Sequence, residues 1–289
     1  MFKLRLGLFL IPFLLLASVR FVVTQEQQTT SRGQLDVDIY GNIYILNTDR
    51  NTLKLFAKDR SLKREVGGSG WENDQFDRPS GLWARNGIDV FVADYGNHRI
   101  QRFDRHLSYV STLYARENPD PDERFGYPTD VAVSRLGDLF ICDSENSRIV
   151  KVNRFTQVER TFGGFSAGEG RLLNPTQVEI GPSDHVYVVD GARVVVFDNS
   201  GNFLHAMSGA FRPPVLLYAN GVGVVIVDSA SMYCLDTDER PVCSLPIQTA
   251  TGMVRDQIQS IVFQQDSMFI LTGQGVVALP DPPGMMQEK

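Results

Sequence analysis

Four histidines are the side chains of this sequence best suited to metal-assisted or acid–base chemistry. A zinc site needs three or four converging nitrogen or sulfur ligands, whereas three of the histidines fall in predicted turns and the fourth on a predicted outer strand. The zinc-binding pattern H-E-x-x-H does not occur, and no Cys/His pairing indicates a nucleophile. The sequence therefore names no catalytic residue and no metal ligand, and it argues against an enzyme. The histidines are His98, His106, His185 and His205.

A second set of polar residues could hold a small ligand at one place in the fold. Carboxylates and carboxamides recur near the start of short β-rich runs, and oxygen atoms of this kind are the ligands that Ca²⁺ takes in proteins. The alternative is an ordinary solvated lining. No other cofactor is implied. The candidate ligand-binding residues are Gln34, Asp36, Asp130, Gln177, Glu179 and Gln259.

These runs belong to an internal repeat. A β-rich segment ending in Asp or a polar stand-in occurs six times, as YILN, FVAD, FICD, YVVD, VIVD and FILT, and the end positions are 47, 49, 47, 38 and 44 residues apart. Periods in the forties are typical of a four-stranded propeller blade. A second register, 13 residues earlier, opens another β-rich run in every copy. The sequence therefore predicts an all-β fold: a six-bladed β-propeller with four-stranded antiparallel blades.

Alternation along the first run of each copy separates two faces of the predicted inner strand. The second and fourth residues are mostly apolar and are expected to pack between blades. The first, third and fifth are expected to line the central channel, and no histidine falls among them. The lining includes the six candidate ligand-binding residues together with Asp38, Trp83 and Arg85.

The turn after the second run has a specific form in copies two and three. Both copies carry D-x-x-N-x-R, where Asp and Asn suit a tight turn and Arg can pair with a nearby carboxylate. We expect these residues to be scaffold, and His98 to be a surface turn residue. The residues are Asp94, Asn97 and Arg99, and Asp143, Asn146 and Arg148.

With these turns, copies two and three resemble NHL repeats, and the chain is similar to an exported, bacterial-type NHL-repeat six-bladed propeller. The resemblance implies a binding or scaffold module for a protein or other ligand, through one ring face or the channel mouth. Some NHL-like propellers are lyases or hydrolases with a metal site in the channel, and this remains the alternative. Because no histidine lies on a lining position, we favour the non-catalytic module.

Three long connections link the last strand of one copy to the first strand of the next, so they are expected to gather on one face. They span residues 67–77, 114–127 and 163–174. Loops on a rigid scaffold often carry binding residues, and aromatic side chains are favoured at binding hot spots. Trp71 and Tyr114 are the candidate partner-binding residues, whereas Phe76 and Phe125 are expected to pack between blades.

The N-terminus resembles an export signal. Lys3 and Arg5 precede an uncharged apolar run over residues 6–17, as in a signal peptide. An uncleaved membrane anchor is the alternative, and the protein is expected to be periplasmic or extracellular. The domains are residues 1–24 (signal peptide or anchor), 25–33 (linker or closing strand), 34–280 (propeller) and 281–289 (tail). The fourth strand of blade six is expected from residues 25–31 rather than from 285–288.

Three cysteines would meet an oxidising compartment, where disulfides persist. If residues 237–240 form a hairpin loop, Asp236 faces Pro241 and Cys234 faces Cys243, within reach of a disulfide after a small adjustment. Two buried thiols are the alternative. Cys142 lies within an apolar run and is expected to be a buried free thiol.

The charge balance bears on partners. The formal net charge is −6, whereas binding to a phosphate backbone requires clustered Lys and Arg. The expected partner is therefore a protein or a small ligand rather than a nucleic acid. Contact with a membrane is expected only through an uncleaved N-terminal segment.

Overall fold

The computed structural model describes residues 20–24, 32–114, 116, 118–154, 157–207, 212 and 216–280. They form six four-stranded antiparallel sheets, which confirms the predicted six-bladed propeller. Blades one and two comprise β2 (Gly33–Val37), β3 (Ile43–Asn47), β4 (Thr52–Phe56), β5 (Leu62–Gly67), β6 (Pro79–Trp83), β7 (Asp89–Asp94), β8 (Arg99–Asp104) and β9 (Tyr109–Tyr114). Blades three and four comprise β10 (Pro128–Val133), β11 (Leu139–Asp143), β12 (Arg148–Asn153), β13 (Gln157–Phe162), β14 (Pro175–Ile180), β15 (Val186–Asp190), β16 (Arg193–Phe197) and β17 (Phe203–Met207).

Blade five comprises β18 (Leu216–Asn220), β19 (Gly223–Val227), β20 (Ser231–Leu235) and β21 (Pro241–Pro246). Blade six comprises β22 (Ile258–Gln264), β23 (Ser267–Thr272), β24 (Gly275–Pro280) and β1 (Arg20–Thr24). One short helix, α1 (Ile247–Thr251), lies between blades five and six, and 3₁₀ turns cover Tyr95–Asn97, Pro121–Glu123, Gly168–Gly170, Pro182–Asp184 and Arg255–Gln257. Within the described part of the chain, no helix is long and apolar enough to cross a membrane.

The antiparallel order defines two faces of the ring. The loop face carries the connections between blades and the turns between second and third strands. The turn face carries the turns between first and second and between third and fourth strands. Every inner strand begins at the loop face and ends at the turn face.

The ring is closed by a strand from the N-terminal side. β1 pairs antiparallel with β24, from Arg20 opposite Ala278 to Thr24 opposite Gly275. The closing strand thus lies within the span assigned to the signal peptide, whereas the candidates 25–31 and 285–288 lie outside the described residues. Because an unpaired β24 would expose a free sheet edge, residues 20–24 serve the propeller fold.

Apolar residues of the inner strands pack between blades, as the alternation predicts. Leu35 and Val37 lie in one cluster with Val262 of blade six. Trp83 departs from the prediction: it is 7% exposed and packs between blades two and three rather than lining the channel.

Prolines at the start of three inner strands mark irregular pairing. The register shifts just after Pro79, Pro128 and Pro175. Proline cannot donate a ladder hydrogen bond, so it is confined to strand ends, edges and bulges.

A disulfide joins the two outer strands of blade five. Cys234 and Cys243 are directly opposite and bonded, as predicted. The turn differs slightly from the prediction, since Leu235 rather than Asp236 faces Pro241. A bulge between Cys234 and Leu235 shifts the register, so that Cys234 still lies opposite Cys243. Cys142 is buried and free, and the disulfide suggests an oxidising compartment.

We predict that Cys234→Ala/Cys243→Ala lowers the free energy of unfolding by about 2–4 kcal/mol, because the cross-link restricts the unfolded chain. Urea unfolding measures the loss, and wild-type protein should lose a similar amount in reductant. Cys142→Ala is the control and should remain sensitive to reductant. Equal urea midpoints for oxidised and reduced wild-type protein would contradict the prediction.

Candidate functional site

Polar side chains on the inner strands bind the backbone of the following blade. Asp36 Oδ2 accepts a hydrogen bond from the Ala84 N–H at 2.8 Å. Gln177 makes both bonds that a neighbouring strand would make: its Oε1 accepts from the Leu217 N–H at 2.9 Å, and its Nε2 donates to the Leu217 carbonyl at 2.6 Å. These side chains satisfy backbone groups at the inner edge of the next blade.

The same device recurs around the ring. Asp130 Oδ2 accepts from the Val178 N–H at 3.0 Å, and Ser260 Oγ of blade six accepts from the Leu35 N–H at 3.3 Å. The side chains of Asp36, Asp130 and Gln177 thus act between blades.

A buried charge cluster crosses the channel near the turn face. We call Asp36, Arg85 and Glu179 the charge cluster. Arg85 donates to both carboxylate oxygens of Glu179, at 2.8 and 2.7 Å, and its Nε donates to Asp36 Oδ1 at 3.2 Å. Its guanidinium also donates to the Ala219 carbonyl at 2.8 Å and lies 4.5 Å from the Tyr218 ring centre. Arg85 therefore ties blades one, two, four and five together.

Burial dominates the protonation of these groups. It raises the pKa of Glu179 to about 7 and also raises that of Asp36, while Arg85 opposes both shifts. Burial and then the charge of Glu179 raise the pKa of Asp130 well above its ordinary value. Burial alone would lower the pKa of Arg85, but Glu179 and Asp36 outweigh it and raise that pKa. The guanidinium therefore stays charged.

A cavity of about 1200 Å³ opens at the loop-face end of the channel. We call it the mouth cavity. Gln34 and Gln259 line it, so these two predicted ligand-binding residues lie apart from Asp36 and Glu179. Its charged lining residues are Arg32, Asp49, Arg78 and Asp256. The remaining polar lining residues are Thr48, Ser80, Tyr95, Thr129, Gln257, Thr272 and Gln274.

The histidines do not reach the mouth cavity. His98 lies in a loop-face turn, where its Nδ1 accepts from the Tyr127 N–H at 3.1 Å. Burial and then Arg116 lower its pKa. Among the residues that the structure describes, no group of three or more His, Cys, Asp or Glu is arranged to hold a metal ion.

One charged cluster was missed by the sequence analysis. His205 Nε2 lies 2.6 Å from Glu239 Oε2, His185 Nδ1 lies 3.9 Å from Glu239 Oε1, and the Tyr187 hydroxyl donates to Glu239 Oε1 at 2.8 Å. The cluster joins blades four and five near the turn face. No local spacing signals it, because Glu239 comes from the outer turn of the next blade.

The chain also contains one match to the nucleophile pattern G-x-S-x-G, at residues 164–168. The pattern requires a strand-to-helix turn that presents the serine. Ser166 instead lies exposed in the connection between β13 and β14. The residues match the pattern, but the strand-to-helix turn that the pattern requires is not present at Ser166.

The D-x-x-N-x-R turn is scaffold, as expected. Arg99 is fully buried, and its Nε donates to Asp94 Oδ2 at 2.7 Å. Its other nitrogens donate to the carbonyls of Trp71, Glu72 and Gln75 at 2.8–3.0 Å. In blade three, Arg148 likewise bonds Asp143 and the Arg124 carbonyl. The motif thus fixes the long connection that precedes its own blade.

Trp71 and Tyr114 form an exposed aromatic pair above this turn. Their exposed fractions are 57% and 52%, and their rings stack with centres 6.3 Å apart. Arg99 lies beneath both rings, 5.4 and 5.8 Å from their centres, and donates to the Tyr114 hydroxyl at 2.8 Å. Phe76 and Phe125 are fully buried, as expected for packing residues.

The comparisons with known proteins agree with the fold. Residues 125–152 match the NHL repeat family, which confirms the resemblance to NHL repeats. The Drosophila melanogaster protein brain tumor is 32% identical over 145 residues, which is 49% of this chain and 13% of that protein. A probable peptidyl-α-hydroxyglycine α-amidating lyase of Caenorhabditis elegans is 31% identical over 106 residues, which is 36% of this chain and 29% of the lyase.

Among solved structures, a gluconolactonase from Xanthomonas campestris has a TM-score of 0.64 at 12% identity, over 91% of this chain and 89% of that chain. At this identity the likeness is one of fold alone. The matched part of the chain spans less than a third of the length of each sequence relative, and these relatives are a probable lyase and a protein whose name gives no reaction.

We predict that Arg85→Met destabilises the protein more at pH 8 than at pH 5. Without the guanidinium, Glu179 and Asp36 must be protonated in the folded state. The pKa values of these two carboxyl groups in the folded state then lie further above their values in the unfolded state. Stability is therefore lost as the pH rises above the pKa values of the unfolded state. Breaking a buried pair costs about 3–5 kcal/mol, and urea unfolding at both pH values measures the loss.

The matched control is Arg135→Met, because the Arg135 side chain is 80% exposed. It should change stability by less than about 0.5 kcal/mol at either pH. A loss in Arg85→Met that is the same at pH 5 and pH 8 would show that the two carboxylates do not depend on Arg85.

Proposed function

We propose that this protein is an exported, non-catalytic binding module that captures a protein partner through the aromatic pair on its loop face. The observation that carries the proposal is the exposed stack of Trp71 and Tyr114 above the buried Arg99. Tryptophan, tyrosine and arginine are the residue types most enriched among binding hot spots.

The support beneath the pair favours tight binding. The connection bearing Trp71 is held by Arg99, and also by Asn97, whose Nδ2 donates to the Gly70 carbonyl at 2.8 Å. Gln101 Nε2 donates to the Gln75 carbonyl at 2.6 Å. A surface fixed before binding loses little conformational entropy when a partner arrives. The aromatic pair is therefore preorganised.

The channel has a different role in this proposal. Asp36 and Glu179 were predicted to bind a ligand. In the structure their carboxylate oxygens accept hydrogen bonds from Arg85, and Asp36 also accepts one from a backbone N–H group. The module is proposed to act without a cofactor and without nucleic acid. The disulfide of blade five supports an oxidising compartment, in line with export.

A lyase or hydrolase acting at the mouth cavity is the second candidate. The size of the cavity and the likeness to a probable amidating lyase favour it. Turnover of a peptidyl-α-hydroxyglycine or a lactone by the purified protein, abolished by chelation, would establish this candidate and reject the first.

We predict that Trp71→Ala weakens partner binding about 30-fold or more, as for a residue worth at least 2 kcal/mol at a hot spot. The measurement is quantitative capture from the medium or periplasm of the source cells, followed by titration of the enriched protein. Tyr114→Phe keeps the ring but removes the bond to Arg99, so it should cost less than Tyr114→Ala.

The matched control is Phe165→Ala. Phe165 lies on the same face and is 81% exposed, but its ring contacts Arg171 rather than Arg99. The proposal fails if Phe165→Ala weakens binding as much as Trp71→Ala, or if every protein captured by the wild type is captured equally by Trp71→Ala.

A further inference from the structure

The turn face exposes apolar side chains at the tips of blades one to three. The exposed fractions are 51% for Ile39, 51% for Tyr40, 64% for Ile88 and 76% for Leu136. All four lie in the turns between first and second strands. Single exposed apolar residues are ordinary on protein surfaces, whereas apolar tips gathered on one face indicate an interaction.

The tips of blades one and two are contiguous and held in place. A side chain at position 87 would collide with Tyr40 and Ile39, so these residues lie directly against Gly87 of the neighbouring turn. The Arg105 guanidinium lies 5.6 Å from the Tyr40 ring centre. Asp38 accepts from the Tyr40 N–H at 2.9 Å, which fixes the first turn.

Basic residues surround these tips. The turns of blades one to three expose five cationic side chains, which are Lys58, Arg60, Arg105, Arg135 and Arg154. Of the carboxylates in the same turns, Asp38 and Asp104 accept from backbone N–H groups of those turns, and Asp138 pairs with Lys151 at 3.2 Å. Among the described residues of these turns, Asp59 is the exposed carboxylate.

The turn face of blades four and five has the opposite character. Its turns carry Asp184, Asp198, Asp236, Asp238 and Glu239, against the single cation Arg240 among the residues described there. Where blade four meets blade three, Asp184 lies 3.8 Å from Arg135. The turn face is therefore divided into a basic, apolar half and an acidic half. A partner with an anionic surface would contact the first half alone.

The chain itself leads to this face. β1 begins at Arg20 opposite Ala278 and ends at Thr24 opposite Gly275. Because β24 runs from the loop face to the turn face, Arg20 lies at the turn face. Only two residues separate the uncharged apolar segment 6–17 from Arg20. Blade six, which holds β1, also neighbours the basic blade one.

We propose that the turn face of blades one to three docks on an anionic lipid bilayer. Apolar tips enter the headgroup region, and each nearby Lys or Arg adds attraction to anionic lipids. The loop face then points away from the membrane. This inference does not depend on the aromatic pair binding a partner.

The test uses the full chain reconstituted in bilayers that contain phosphatidylglycerol, with phosphatidylcholine bilayers as the reference. A fluorophore is placed on Leu136→Cys at the turn face or on Leu173→Cys at the loop face. Leu173 is 66% exposed, and the native cysteines are buried or bonded. Nitroxide lipids should quench the label at position 136 at least about threefold more than the label at position 173. Trp71 should remain unquenched.

Charge-reversal variants test whether the basic turns themselves contact the bilayer. Arg60→Glu should lower the docked fraction of the Leu136→Cys label at least about fivefold, as expected for one cation near an anionic surface. Arg50→Glu is the matched control, since Arg50 is exposed on the same blade at the loop face. Equal quenching at positions 136 and 173, or equal effects of the two reversals, would overturn the proposal. If the label at position 136 becomes shielded in detergent as the protein concentration rises, the surface mediates self-association instead. That result would overturn the proposal as well.

Discussion

The ring depends on how each blade satisfies the inner edge of the next. An inner strand has a ladder partner on one side only, so its other side presents backbone N–H and carbonyl groups that are costly to leave unpaired. Side chains of the preceding blade form hydrogen bonds with these backbone groups. The most complete case is Gln177, which makes two hydrogen bonds to Leu217. Arg85 extends the principle across the channel, with two bonds to Glu179 and one to the Ala219 carbonyl. Polar residues in the channel are thereby a requirement of the fold.

On the loop face, too, a few polar side chains hold several parts of the structure together. Asp94 accepts from the Asp77 N–H at 2.8 Å and binds Arg99, which in turn holds the connection that carries Trp71. One turn therefore fixes a blade, the loop before it and the surface that the loop presents. The turn face has no such long connections, and its character comes from short turns whose tips differ in charge between the two halves of the ring. The two faces are thus suited to different partners.

Sequence periodicity predicted the blades, their order and the cysteine pairing, because those features follow from local alternation and turn length. It predicted a closing strand from the N-terminal side but placed it at 25–31. The strand 20–24 directly follows the apolar segment, and its partner β24 lies about 250 residues further along the chain. The contacts of Arg85 could not be predicted, since Glu179 is 94 residues away and meets it only across a closed ring. Glu239 and His205 illustrate the same limit between neighbouring blades.

Native-state hydrogen exchange at the Leu217 amide tests the central claim most directly. If Gln177 acts as a strand partner, this amide should exchange only on global unfolding, at a rate similar to that of the ladder amides in β19. Gln177→Leu should then accelerate exchange at Leu217 by at least about tenfold relative to those amides, since a lost hydrogen bond is worth about 1 kcal/mol or more when its partner stays buried. A Leu217 amide that exchanges rapidly in the wild-type protein, or that is unaffected by the substitution, would contradict the account.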